Sequence, residues 1–223
     1  MSKLQQTIEQ LYDVFADVRK PHHIDACPCC ATNSEINTLL SKKLRELTSA
    51  ELGSYASNAL STVGGVDDYL YFLPRILEIT ATDIKWWPLP EVTARAVHSS
   101  KLQAWPVVRR EALEVYLFAL IETIIEKGKY DQLDSWLCAI GRMEIEIHPY
   151  LKIIQNSKEA VLAIFNENAN SLPRNKLSNA FWELPSRAHE DILDWLHSVP
   201  VMMIPLEAYG YIMPERKPYY STG

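Results

Sequence analysis

Apolar residues recur at spacings of three and four along most of the chain, which is the periodicity of amphipathic helices. The first segment carries one such stripe, made by Leu4, Ile8, Leu11, Phe15 and Val18. Stretches with the alternation of a β-strand are scarce. The pattern predicts an all-α fold, an irregular array of about eight to ten antiparallel helices that forms either a compact bundle or a short helical solenoid.

Capping signals mark several predicted helix ends. Thr32 and Thr48 are each followed three residues later by a glutamate, the spacing of a capping box, and each pair predicts a helix start. The pair Gly64-Gly65 ends the helix that follows Thr48, because a left-handed residue there costs glycine little. Pro74 interrupts the next apolar segment, so it is expected to kink that helix or to begin a new one.

The second half of the chain continues the helical pattern. Pro106 opens a long helix through Lys127, and further helices are predicted over 131–147, 149–168, 174–184 and 186–198. From Pro200 onward the helical period is lost, so residues 200–223 are predicted to form a partly extended C-terminal tail. No long polar linker divides the sequence, and a single helical domain over 1–223 is expected.

Composition narrows the classes of function. The 223 residues are 48% hydrophobic and 22% charged, and the formal net charge is −6. An acidic chain without basic clusters is a poor ligand for nucleic acids or anionic membranes. The N-terminal segment does not resemble a signal peptide, and no apolar run approaches the ~20 residues that cross a bilayer. A cytoplasmic protein with reduced cysteines is therefore expected.

The segment PHHIDACPCC, residues 21–30 and here called the cysteine loop, is the main candidate for chemistry. Its Cys-x2-Cys element can direct two thiolates at one ion, and zinc prefers four such ligands in a tetrahedron. We predict a zinc site here. Its fourth ligand could also be Cys138, His98 or water, and His22 could replace His23. The predicted metal ligands are His23, Cys27, Cys29 and Cys30.

Other interpretations of the cysteine loop remain open. The signature is half of a usual zinc motif, because a second Cys-x2-Cys or His-x3-His pair is lacking, so unliganded cysteines are one alternative. The CPCC sequence also fits the C-P-x-C dithiol of glutaredoxin-like folds. Those folds place a strand directly before the motif, whereas here a helix is predicted. A disulfide is disfavoured by the adjacency of Cys29 and Cys30.

The segment MEIEIHP places Glu144, Glu146 and His148 at alternate positions. On a strand, these side chains would share a face and could hold a divalent ion. However, Ile140, Met143 and Ile147 continue the preceding helical stripe. The favoured interpretation is a solvated helix that ends with His148 at its C-terminus.

Two stretches together, HIDACPCC and YASNALSTVGGVDDYLYFLPRILEI, resemble a group of uncharacterised bacterial proteins. The group shares an N-terminal His/Cys cluster and an aromatic-Leu-Pro-Arg helix segment, and the similarity covers residues 23–79. The resemblance implies a bacterial origin and a functional unit around these segments. The group has no assigned activity, so no catalytic residue is implied. The similarity also suggests that the cysteine loop lies near the segment 67–75.

Two classes of function follow. The first is a cytoplasmic interaction or regulatory protein, such as an immunity protein, that binds a basic protein partner and carries a zinc-stabilised loop. The second is a metal-dependent enzyme in which His23, Cys27 and Cys30 leave one position of the zinc open. The sequence lacks the motifs of serine nucleophiles, phosphate-binding loops and H-E-x-x-H metalloproteases, so no catalytic residues are predicted.

Overall fold

The computed structural model describes residues 1–83 and 85–211. Within them the chain forms eleven α-helices: α1 (Lys3–Val14), α2 (Asn33–Ser41), α3 (Ser49–Asn58), α4 (Val66–Thr82), α5 (Pro90–Ser99), α6 (Val107–Glu126), α7 (Leu133–Arg142), α8 (His148–Ile154), α9 (Lys158–Asn168), α10 (Arg187–His197) and α11 (Val199–Ala208). Short 3₁₀ turns lie at Leu44–Glu46, Leu102–Ala104, Tyr130–Gln132 and Leu172–Arg174. The described residues contain no β-strand, so the predicted all-α fold is confirmed.

Local signals explain where the first helices begin. The Ser2 side chain accepts a hydrogen bond from the Gln5 amide at the start of α1. The predicted capping boxes are present, Thr32 with Glu35 at α2 and Thr48 with Glu51 at α3. Each box satisfies amide donors that have no partner inside the first helical turn.

The core is built by helices that are distant in the sequence. Helix α1 packs along α6, and α5 packs along α7. The side chains of Ile8 and Leu11 on α1 are fully buried, and Tyr116 on α6 donates a hydrogen bond to the Leu77 carbonyl oxygen on α4 at 2.9 Å. In a solenoid each repeat contacts its sequence neighbours, so the pairing of α1 with α6 favours the bundle alternative.

Several predicted boundaries in the second half of the chain are wrong. The predicted helix 131–147 ends at Arg142, and the predicted helix 149–168 is split into α8 and α9, because Ser157 caps a new helix by accepting from the Ala160 amide. The predicted helix 174–184 is absent, because residues 175–184 are not helical and Arg174 only ends a 3₁₀ turn. Asn175 has a left-handed φ of 54°, which ends the 3₁₀ turn Leu172–Arg174. Pro74 does not begin a new helix, since α4 runs through it.

The predicted extended tail also needs correction. Its first part forms α11, in which Pro200 occupies the first turn, where a missing amide donor costs nothing. Val201 and Pro205 of α11 are buried. The rest of the predicted tail, 212–223, lies outside the described residues.

No helix in the described part of the chain combines the length and the apolar character that crossing a bilayer requires.

Candidate functional site

The cysteine loop connects α1 to α2 and is held against the turn between α3 and α4. Ala26 forms an isolated antiparallel bridge with Val63. The Cys27 amide donates to the Thr62 carbonyl oxygen at 2.9 Å, and the Gly64 amide donates to the Asp25 carbonyl oxygen at 2.7 Å. These two bonds fix the backbone on both sides of Ala26. The position of Cys27 is therefore set by a contact across more than thirty residues of chain.

A tight turn then brings the other two cysteines back towards Cys27. The amides of Cys30 and Ala31 both donate to the Cys27 carbonyl oxygen, at 2.9 and 3.2 Å. The Cys27 Sγ lies 2.7 Å from the Cys29 Sγ, which lies 3.7 Å from the Cys30 Sγ. The three sulfur atoms all lie within 4.8 Å of one another, so one metal ion could contact all three. Adjacent cysteines at 29 and 30 do not prevent this grouping.

Thiol–thiol hydrogen bonding shifts the pKa values of Cys27 and Cys29 in opposite directions. The hydrogen bond from the Cys29 thiol lowers the pKa of Cys27, whereas the same contact raises the pKa of Cys29 to about 11. Of these two thiols, Cys27 is therefore the more acidic. A thiolate is the form of cysteine that binds metals and acts as a nucleophile.

The structure places the other predicted ligands away from these sulfur atoms. His23 is exposed, and its Nε2 lies 3.0 Å from the Asp25 Oδ1. His98 is on α5, with its Nδ1 3.9 Å from the Glu144 Oε1. Cys138 is fully buried in α7, where burial raises the pKa of its thiol. The structure therefore groups Cys27, Cys29 and Cys30 and leaves His23 outside the group.

The surroundings of the cysteine loop argue against the glutaredoxin-like alternative. That fold requires a strand directly before its C-P-x-C motif, and the described residues contain two isolated bridges but no strand. All three cysteines of the loop are free thiols.

The first turn of the segment 67–75 is linked to the cysteine loop through Gly64 and Gly65, since the Gly64 amide donates to the Asp25 carbonyl oxygen. The Gly65 amide donates to the Asp68 Oδ2 at 2.8 Å. Arg75, further along α4, forms an ion pair with Glu78 at 2.6 Å and donates to the Leu47 carbonyl oxygen. Arg75 thus tethers α4 to the segment before α3.

Glu146, His148 and Asp191, here called the carboxylate–histidine cluster, form a second group of possible metal ligands. The His148 Nδ1 lies 2.6 Å from the Glu146 Oε1 and 3.9 Å from the Asp191 Oδ2. The hydrogen bond from His148 lowers the pKa of Glu146. Asp191 comes from α10, so this cluster is assembled by the packing of α8 and α10.

The solvated-helix interpretation of MEIEIHP is therefore wrong. Helix α7 ends at Arg142, and His148 is the first residue of α8 rather than the end of a helix. Between the two helices Ile145 and Ile147 are buried, whereas Glu144 and Glu146 are exposed. This alternation was visible in the sequence, but the participation of Asp191 was not.

A polar cavity of about 630 Å³ lies beside the carboxylate–histidine cluster, and Glu146 and Asp191 are part of its wall. Arg95, Arg142 and Arg187 also line it. The Arg142 side chain is only 10% exposed, and its terminal nitrogens donate to the Phe181 carbonyl oxygen and to Glu183. Its Nε is buried without an acceptor among the described residues.

Comparisons with protein-family models, with curated proteins and with solved structures found no match. The functional argument therefore depends on the geometry of this chain.

Proposed function

We propose that this helical protein binds a zinc ion through Cys27, Cys29 and Cys30, and that the ion stabilises a cytoplasmic interaction or regulatory protein. The observation that carries the proposal is the grouping of three free sulfur atoms within 4.8 Å on a loop with a fixed backbone. Zinc prefers thiolates, and its structural sites contain up to four of them.

The position of the cysteine loop supports a structural role for the metal. The loop joins α1 to α2, and its backbone pairs with the turn between α3 and α4 through Thr62 and Gly64. A metal bound by the loop would stabilise this pairing, because a ligand that binds only the folded state raises the free energy of unfolding.

Charge supports the interaction role. The net charge of −6 suits a basic protein partner, whose association would be accelerated by electrostatic attraction and weakened by salt. An immunity-type protein that covers a basic surface belongs to this class.

A metal-dependent enzyme remains the second candidate. Three cysteine ligands leave one position of a tetrahedral zinc ion for water, and Cys29 is exposed to solvent. Zinc lowers the pKa of bound water and so supplies a nucleophile at neutral pH.

Metal analysis of the purified, reduced chain tests the zinc site. We expect about one zinc ion per chain, and Cys27→Ser, Cys29→Ser and Cys30→Ser should each weaken zinc binding about tenfold or more. Cys138→Ala is the matched control, because it removes a thiol outside the loop and should keep the zinc. A metal-free chain whose loop thiols all react freely with a thiol reagent would overturn the proposal.

X-ray absorption spectroscopy on the zinc-loaded chain and on His23→Gln separates the two classes. A site with three sulfur ligands and one nitrogen ligand that is lost in His23→Gln indicates a closed structural site. Three sulfur ligands with an exchangeable oxygen, unchanged by His23→Gln, indicate the open site of an enzyme.

The interaction role needs a purified partner. Proteins that co-purify with the full chain would be isolated, and their binding measured by calorimetry at two salt concentrations. We expect a basic partner whose affinity falls as salt rises. Binding that is insensitive to salt contradicts the charge argument.

A further inference from the structure

We propose that the cysteine loop binds trivalent arsenic, taken up from arsenous acid, As(OH)₃, through the sulfur atoms of Cys27, Cys29 and Cys30. This inference rests on the proposed function, in which the same three sulfurs act together on one ion, and it names the chemical class that they fit best. Trivalent antimony shares this chemistry. Ligand number, charge and solvent access all favour the class.

The number of ligands favours a centre that needs only three. All four cysteines and all six histidines of the chain lie among the described residues. The group within 4.8 Å contains three sulfur atoms, and no imidazole or carboxylate from residues 1–83 and 85–211 joins it. A structural zinc site takes four ligands, whereas arsenic(III) forms three bonds and carries a lone pair in the fourth direction. The three sulfurs therefore complete the coordination of arsenic(III) but not that of zinc.

The charge of the complex favours a trivalent centre. Three thiolates neutralise a trivalent ion, so the arsenic complex carries no net charge. The corresponding zinc complex is negatively charged, and a copper(I) complex is more so. Residues 21–41 contain no lysine or arginine to balance such a charge, and the whole chain already has a net charge of −6. A neutral complex therefore suits this segment better than an anionic one.

The sulfur atoms are accessible from solvent and are already held together. Cys29 is exposed, and Cys27 and Cys30 are half-buried. The Cys29 Sγ lies 2.7 Å from the Cys27 Sγ and 3.7 Å from the Cys30 Sγ. The hydrogen bonds of the Cys27 amide and carbonyl oxygen fix the turn that groups them. Binding therefore requires little additional ordering of the chain, which favours affinity.

The binding reaction is a condensation without a redox step. In each of three replacements one As–O bond and one S–H bond break, and one As–S bond forms. The hydroxyl group leaves with the thiol proton as water. The reduced loop and one As(OH)₃ thus give one arsenic complex with three sulfur ligands and three water molecules, and arsenic stays trivalent throughout.

Native mass spectrometry of the full, reduced and metal-free chain with sodium arsenite, under anaerobic conditions, tests the proposal. We expect one adduct per chain, with a mass increase of one arsenic atom less three hydrogen atoms. An arsenic atom held by only two sulfurs keeps one hydroxyl group, so that adduct is heavier by one water. The heavier adduct alone, or no adduct, would overturn the site with three sulfurs.

Single cysteine variants identify the sulfurs. Cys29→Ser should bind arsenite at least about tenfold more weakly and keep one hydroxyl group on arsenic, because a tethered third ligand acts at a high effective concentration. Cys138→Ala is the matched control, since it removes a thiol outside the loop, and it should give the wild-type adduct. Circular dichroism checks that each variant is folded, and Cys30→Ser replaces Cys29→Ser if the latter is not. Loss of the adduct in folded Cys138→Ala, or the wild-type adduct in either serine variant, contradicts the proposed site.

Competition with zinc separates this inference from the proposed function. Arsenite added to the zinc-loaded chain should release the zinc, measured with a zinc-sensitive dye, as the adduct with three sulfurs forms. Zinc binding without any arsenic adduct overturns the arsenic site and leaves the zinc site standing. An arsenic adduct on a chain that binds no zinc supports the arsenic site and overturns the zinc site. Zinc that stays bound beside an arsenic adduct places the two ions on different ligands and overturns the arsenic site.

Discussion

Gly64 shows how one residue positions the cysteine loop. Its φ of +70° lies in the left-handed region, which residues with a Cβ adopt at a cost. A Cβ at this position would lie 3.2 Å from the Tyr55 hydroxyl oxygen and 3.3 Å from the Asp68 Oδ2. The amide of Gly64 also forms the 2.7 Å bond to the Asp25 carbonyl oxygen, so strain at Gly64 would act directly on the loop.

We therefore expect Gly64→Ala to lower the free energy of unfolding by about 1–2 kcal/mol. Gly65→Ala is the comparison variant and should lose less, because its φ of −99° suits alanine and its Cβ would meet only the Asp68 Oδ2, at 3.8 Å, which leaves only the preference for glycine over alanine at the N-cap of α4. Chemical denaturation of the two variants measures the difference. Equal losses at the two positions would show that the backbone of Gly64 carries no special strain.

Glu51 links stability to pH at the residue scale. The Lys42 ammonium group 2.5 Å away, together with the Thr48 amide, lowers the pKa of Glu51 to about 2 from an ordinary value of 4.5. Because the folded-state pKa is the lower one, ionised Glu51 stabilises the fold fully above about pH 4.5. This contribution is lost as the pH falls towards 2.

Glu51→Gln should accordingly lose about 1 kcal/mol of stability at pH 7, since it keeps a capping side chain but loses the charge. The difference from the wild type should shrink between pH 4.5 and 2. Unfolding curves across this range provide the measurement. Glu111→Gln, at an exposed carboxylate of α6 without an ion pair among the described residues, serves as the control. A constant difference for Glu51→Gln at all pH values would exclude the linkage.

At the scale of elements, two glycines inside helices are expected to respond in opposite ways to an added Cβ. A Cβ on Gly141 in α7 would lie 2.7 Å from the Trp182 ring and 2.9 Å from the Ala188 Cβ. A Cβ on Gly53 in α3 would approach the Trp87 ring at 2.5 Å, but the Trp87 side chain is 59% exposed and can move aside. Only Gly141 permits an obligatory close approach, that of α10 and the segment before it to α7.

Gly141→Ala is expected to destabilise the protein by about 1–3 kcal/mol, because overpacking exceeds the gain in helix propensity. Gly53→Ala should be neutral or stabilising by up to about 1 kcal/mol, because the helix propensity of alanine dominates there. Urea denaturation of the two variants gives both values. Changes of the same sign at the two positions would contradict this assignment.

The helix starts that the sequence predicted correctly are those with local causes, whereas the predicted end at Gly64-Gly65 is wrong because α3 already ends at Asn58. Thr32 and Glu35 make their contacts within one turn, so their spacing was sufficient. The end of α7 has no such signal, because positions 140, 143 and 147 fit a helical stripe whereas 143, 145 and 147 fit an alternating pattern. The burial of Ile145 and Ile147 decides between them, and that burial depends on other elements.

At the scale of the whole molecule, α1 is attached to a helix about one hundred residues away. Lys3 forms an ion pair with Glu122 of α6, and Arg109 of α6 donates to the Val14 carbonyl oxygen at 3.1 Å. The buried hydrophobic residues from Leu4 to Val201, apart from Cys138, belong to one cluster. Such a core should unfold as one cooperative unit.

We expect Ile8→Ala to lower the stability of the whole chain by about 2–5 kcal/mol, because the Ile8 side chain is fully buried. Gln10→Ala, at an exposed position of the same helix, should change stability by less than about 0.5 kcal/mol. Far-ultraviolet circular dichroism and tryptophan fluorescence should report a single coincident transition for both variants. Two separate transitions would contradict the predicted single domain.

The sequence by itself determined the helical class, the starts of α2 and α3 and the closeness of Cys27, Cys29 and Cys30, because these depend on residues within a few positions of each other. The tertiary structure alone decided that α1 packs on α6, that His23 lies outside the sulfur group, and that Asp191 meets Glu146 and His148. These features result from contacts between distant segments. Hydrophobic burial fixes such contacts through the shapes of whole helices, which no short stretch of the sequence contains.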